Sequence, residues 1–287
     1  MPYIPGASLG GRRVDLGSLS LGMVDAAGVA WHLQGLEGWD GADQRAEYTP
    51  READHGAWAA PVYLSQRPIT LKGKVEAPDL VTLDASIEQL IAAVALTDTT
   101  LTVYESTPKR ATVRRSGTPL IQHVTDRIAE YSLLVTAADP RRYSTTLQTQ
   151  STALPSVTGG LSLPLSMPLT ISATTVAGSI TLTNSGSFPT RPTLSLSGPV
   201  VTPTIVAALP SGATTQILYG ADLQTGDVLV IDSNARTVTL NGTASRRLYF
   251  SGTWPEIPAN SSVTYSWSSP VYDAAAMLTG TCRSAWM

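Results

Sequence analysis

The residues whose spacing could support chemistry begin near the N-terminus, where Gly6-Ala7-Ser8-Leu9-Gly10 fits the G-x-S-x-G pattern of hydrolase nucleophiles. That serine works only on a sharp turn between a buried strand and a helix. With Pro2 and Pro5 before it and Gly11-Arg12-Arg13 after it, neither element can be built, and the segment reads as a flexible glycine-rich arm. Ser106-Thr107-Pro108-Lys109 matches S-x-x-K, which needs both side chains on one helical turn. Pro108 disrupts such a helix, so a hairpin loop is the better reading.

His32, His55 and His123 lie far apart, without an H-E-x-x-H pattern or a Cys/His cluster, so no metal site is assigned. Asp and Glu are scattered through loop-like and helix-surface contexts, and no pair stands out as acid and base. Asn241-Gly242-Thr243 and Asn260-Ser261-Ser262 fit the glycosylation sequon but read as turns. Cys282, the single cysteine, lies in an alternating segment and is expected to be buried. Trp254, Tyr265, Trp267 and Trp286 could stack on sugars, although such aromatics more often anchor a core or an interface. No catalytic, cofactor-binding or metal-binding residue is assigned.

Charged residues are 14% of the chain against 43% for the apolar set, which marks a folded protein and excludes the disordered class. A formal net charge of −3 gives no clustered cationic footprint for gripping nucleic acid. The N-terminus lacks the order of a secretory signal, and no run of about 18 apolar residues is present to span a membrane. The expected compartment of synthesis is a bacterial cytoplasm.

The positioning elements change character near residue 144, where charge thins out and a Ser/Thr/Gly/Pro-rich stretch follows. This divides the chain into domains 1–143 and 144–287. In the first, Leu80, Leu83, Ile87, Leu90, Ile91 and Val94 form one apolar stripe, and Pro78-Asp79 give a helix start. Alternation predicts strands over 62–71, 100–105, 111–115 and 127–136. The second domain reads as many short strands, among them 169–176, 179–184, 192–198, 215–220 and 262–267, which suits a β-sandwich or barrel. Its clearest piece is a hairpin over Gly226–Gly242, turning at Asp232-Ser233-Asn234-Ala235.

In this order the elements resemble the distal tail protein family, Dit, of long non-contractile-tailed phages. The residues carrying the likeness are Arg67-Pro68-Ile69-Thr70-Leu71-Lys72-Gly73, Lys109 to Arg115, Ala138-Asp139-Pro140-Arg141-Arg142-Tyr143, Ile180 to Gly186, Pro192-Thr193-Leu194, the Gly226–Gly242 hairpin and Trp254 to Asn260. The resemblance implies a mostly β chain with one main helix. It has an N-terminal α+β, tail-tube-like, ring-forming domain followed by a C-terminal galectin-like β-sandwich.

The resemblance further implies a non-enzymatic homohexamer in the virion, at the tail tip. Its partners would be the tail tube protein, the tape-measure protein and tail-tip hub or receptor-binding proteins, with DNA only in transit through the lumen, no cofactor and no membrane insertion. Arg12, Arg13, Arg51, Arg67, Arg114 and Arg115, with Glu47, Glu52 and Asp54, are candidates for intersubunit pairs or for plain surface charge. Two other function classes are set beside it. One is a carbohydrate-binding module, suggested by the C-terminal tryptophans and weakened by the lack of any histidine after His123. The other is a wall-degrading enzyme, for which no acid, nucleophile or metal set is visible.

Overall fold

The structure is a computed structural model that describes residues 3–94, 96–159 and 173–287. The chain forms two compact units, residues 1–145 with Met287 and residues 146–286. As expected, the architecture is mostly β with one main α-helix.

The first unit contains β1 (Val14–Leu16), β2 (Leu19–Leu21), β3 (Ala30–Glu37), β4 (Gln44–Arg45), β5 (Tyr48–Pro50), β6 (Ala57–Ala59), β7 (Tyr63–Leu64) and β8 (Arg67–Glu76). After α1 (Leu80–Ala93) come β9 (Thr99–Val103), β10 (Lys109–Arg115), β11 (Leu120–Thr125), β12 (Ile128–Ala137) and β13 (Arg142–Ser144). Strand order runs β2-β1-β9-β10-β12-β8-β3, with β11 beside β12. One strand, β10, serves three neighbours. Its residues Lys109 to Val113 pair with β9, Lys109 and Arg110 also pair with β13, and Arg114 and Arg115 pair with β12.

Period-two burial explains the packing. On β8, Arg67, Ile69, Leu71, Gly73 and Val75 point inward, and on β12 Ala129, Tyr131, Leu133, Val135 and Ala137 do so. Helix α1 starts where expected, with the Asp79 carboxylate accepting from Thr82 N at 2.8 Å. Leu83, Ile87 and Leu90 are buried and Val94 just beyond the helix is too, but Leu80 is exposed in the first turn. The strand expected over 62–71 is two elements: Tyr63–Leu64 belongs to a hairpin and β8 begins only at Arg67. The arm around Ser8 is also not free, since Gly6 N and Leu9 N donate to Val24 O and Gly22 O.

The second unit is built from β14 (Gln148–Ala153), β15 (Ser156–Gly159), β16 (Ala173–Val176), β17 (Ser179–Asn184), β18 (Thr193–Ser197), β19 (Thr204–Ala208), β20 (Thr214–Tyr219) and β21 (Val228–Asp232). It continues with β22 (Thr237–Leu240), β23 (Ala244–Ser245), β24 (Phe250–Gly252), β25 (Ser261–Ser268) and β26 (Met277–Cys282). One antiparallel sheet runs β14-β26-β18-β21-β22-β23 and a second β17-β25-β19-β20-β24. Their inward residues share one core, including Leu182, Leu194, Ile231, Tyr265, Trp267 and Leu278. Among the described residues, strands β15 and β16 pair only with each other, Ser156 opposite Val176 and Gly159 opposite Ala173. The first four residues of the strand expected over 169–176 lie outside the described residues.

Asn184 organises one end of this sandwich. Its amide nitrogen donates to Phe188 O and Pro258 O, while its amide oxygen accepts from Gly186 N and Ala285 N. The side chain is fully buried and satisfied, as a buried amide must be. The expected hairpin is present as β21–β22, with Asp232 Oδ1 accepting from Asn234 N and Ala235 N and Arg236 at φ 55°. Asn241 and Asn260 are turn residues at φ 51° and 48°.

Candidate functional site

The motifs that resembled catalytic signatures fall apart in space. Ser8 forms an isolated bridge with Met23 and accepts from Gly10 N. Ser106 and Thr107 lie in the connection between paired strands β9 and β10, while Lys109 reaches back to Glu105 at 2.6 Å. His32 sits on β3, His55 between β5 and β6, and His123 on β11. Among the described residues no group of three or more His, Cys, Asp or Glu comes together. Cys282 is buried, with its sulfur 3.9 Å from Thr183 O, and burial pushes its thiol up to about 11.

The most distinctive surface is the excursion between β3 and β8. Here β4 pairs with β7 and β5 with β6, forming a ribbon in which every residue from Asp43 to Tyr63 is exposed. Tyr48, Trp58, Val62 and Tyr63 each show more than half their surface to solvent, at 64%, 66%, 52% and 62%. Within the ribbon the Arg51 guanidinium lies 4.6 Å from the Trp58 ring centre and pairs with Asp54 at 3.2 Å. A two-stranded ribbon with neither face covered is marginal in water. Large apolar side chains held there mark an interaction surface.

The base of this ribbon is the opposite in character. Gly38 stands at φ 80°, and a Cβ there would fall 2.0 Å from Pro68 O. Trp39 is fully buried and its Nε1 donates to Glu105 at 2.6 Å. Burial acts to raise the Glu105 carboxyl, but hydrogen bonds from Lys109 and Trp39 outweigh it and hold the group below the usual carboxylate range. Arg142 lies over the Trp39 ring and 3.5 Å from Asp40.

Arg67, one of the arginines considered as surface charge, is fully buried. Its Nε donates to Pro140 O at 2.9 Å, and its Nη1 donates to Trp39 O at 2.6 Å and Gly38 O at 3.3 Å. The reason is positional: Arg67 is in phase with Ile69, Leu71 and Val75 on β8, so it shares their inward face. That alternation was the available signal. Arg13, Arg51 and Arg114 pair within the chain with Asp15, Asp54 and Asp98.

Three of the C-terminal aromatics considered for sugar stacking are packed within the second unit. Tyr265 and Trp267 are core residues, and Trp254 stacks on Phe250 with ring centres 4.4 Å apart and Arg247 beside both. The large apolar residues that this unit does expose include Leu248, Val271 and Tyr272.

No curated protein sequence matches the chain. Residues 185–272 match the family model described as siphovirus-type tail component, C-terminal domain. Among solved structures, the crystal structure of phage SPP1 Dit, titled a paradigm of the hub adsorption apparatus in phages infecting Gram-positive bacteria, is similar at a TM-score of 0.59. It has 13% identity, and the match covers 89% of this chain and 93% of that one. A chain of the phage P2 baseplate in its activated conformation with calcium is matched at TM-score 0.48 and 11% identity, covering 92% of this chain and all of that one. By the family model in its second unit and by a fold shared with SPP1 Dit over most of its length, the chain is similar to the distal tail proteins of siphoviruses.

Proposed function

We propose that this chain is a structural, non-enzymatic subunit of a siphovirus tail tip. In this reading it closes into a homohexameric ring that joins the tail tube to the adsorption apparatus and leaves a channel for DNA. Residues 1–143 build the ring and residues 144–287 form an outer β-sandwich domain. The partners are further copies of the chain, the tail tube and tape-measure proteins, and hub or receptor-binding proteins, all within the virion.

The observation that carries this reading is the exposed aromatic ribbon of β4 to β7, together with the unlike edges of the sheet beside it. The strand path of the sheet ends on β3 at one side and on β2 at the other, with β11 branching off beside β12. A cyclic ring needs interfaces in which one face of a subunit meets a different face of the next, and two unlike edges supply that asymmetry. The siphovirus tail component match over residues 185–272 sets the biological context.

Mass measurement of the full chain, alone and mixed with the cognate tail tube protein, tests the reading. Six-subunit particles, and a sixfold density for this chain in reconstructed tail tips, are the expected results. Tail tips that contain no copy of the chain overturn it.

A further inference from the structure

We propose that Arg67 is a positioning residue for assembly: its buried guanidinium fixes the direction in which the ribbon of β4 to β7 leaves the subunit, before any partner is met. This rests on the reading of that ribbon as an intersubunit element.

The guanidinium bonds main-chain carbonyls at two places where the chain leaves the sheet. Gly38 and Trp39 follow β3 at the foot of the ribbon, and Pro140 follows β12. Arg67 itself opens β8, where the chain returns from the ribbon. One side chain therefore ties the outgoing leg, the returning leg and a neighbouring strand end. Beyond Trp39 the change is abrupt, because Asp40 is already exposed.

Space filling does not account for the choice of arginine. A buried cation is costly to desolvate, and among the described residues no carboxylate hydrogen-bonds it and Nη2 is buried without a hydrogen-bond partner, Asp40 acting on it only through its charge. Burial and the nearby Arg142 push the guanidinium down to about 10, so it stays charged at neutral pH. An apolar residue would pack the same volume at less cost but would leave the Gly38, Trp39 and Pro140 carbonyls without this donor. What arginine adds is a rigid planar fork whose separate nitrogens reach carbonyls set apart from one another, where lysine offers a single compact ammonium.

The test is amide hydrogen exchange on the full chain, comparing wild type with Arg67→Lys and Arg67→Met. The expected result is exchange at least tenfold faster at residues 38–42 and 64–66, with β12 and α1 unchanged, and a partial return of protection in the lysine variant relative to methionine. A uniform rise across the first unit, or complete unfolding of both variants, makes Arg67 an ordinary core residue and overturns the proposal. Assembly is then measured for the same variants and for Tyr48→Ser/Trp58→Ser. Loss of particles at tenfold higher concentration in the Arg67 variants supports the proposal. If the ribbon variant assembles like wild type, the intersubunit reading fails, while the exchange result still stands or falls separately.

Discussion

The side-chain amide of Gln148 pairs with the backbone of Thr183 as a neighbouring strand would: Nε2 donates to Thr183 O at 2.7 Å, and Thr183 N donates to Oε1 at 3.1 Å. Two residues on, Gln150 Oε1 accepts from Thr181 N at 3.1 Å. The outer edge of β17 is thus occupied by side chains from β14 in the other sheet. An open edge is a template for pairing with another chain, and here it is blunted without adding a strand.

Replacing Gln148 with Ala should therefore do two things. Unfolding in urea should show a loss of about 1 to 2 kcal/mol, the net worth of two hydrogen bonds. Light scattering at high protein concentration should show more self-association than wild type. Unchanged scattering would mean that β17 is not exposed by the loss.

Gly73 admits no side chain. A Cβ there would lie 2.0 Å from His32 O and 2.5 Å from the Tyr131 hydroxyl, which crosses over the glycine to donate to that same carbonyl. Gly73→Ala must separate β3 from β8, and a loss of about 3 kcal/mol or more is expected in thermal or urea unfolding. A variant as stable as wild type would show that the two strands can part cheaply.

Glu105 should give the first unit an acid-sensitive term. Its folded carboxyl is held below the ordinary range, so it stabilises the protein above the unfolded value, and that stability is lost as pH falls through the lower folded value. Glu105→Gln should melt earlier than wild type at neutral pH, and the gap in Tm should close as pH drops below the carboxylate range. A gap independent of pH would remove the charge from the explanation.

Cys282 should be a poor thiol. With its pKa pushed up to about 11 by burial, disulfide reagents at pH 8 should modify the folded chain far more slowly than the chain in urea. A ratio of roughly a hundredfold or more is expected from thiolate fraction and access together. Rapid reaction in the folded state would place the sulfur at the surface.

What could be read from the residues depended on how cleanly each element kept its period. Helix α1 and the β21–β22 hairpin were legible because the Leu83, Ile87 and Leu90 stripe and the Asp232 turn are local signals. Strand β3 was hidden because a bulge between Leu33 and Gly35 shifts its alternation midway. Strands β1 and β2 are three residues each, too short for a period to declare itself. At β19 the outer-facing Val206 is apolar like the inward Ile205 and Ala207, so contrast is missing. The ribbon escaped notice for another reason: Tyr48, Trp58 and Tyr63 are apolar yet face solvent, and burial was the assumption behind every pattern. Arg67 reversed the same assumption for charge.

The isolated pairing of β15 with β16 suits the chain to carrying passengers. Gly159 and Ala173 are cross-strand partners, so the chain leaves and returns through adjacent ends, and neither large sheet loses a strand whatever joins them. The entropic cost of a longer connection grows only with the logarithm of its length. A foreign module with neighbouring termini should be tolerated between these two residues, turning the stem into a display mount on the second unit.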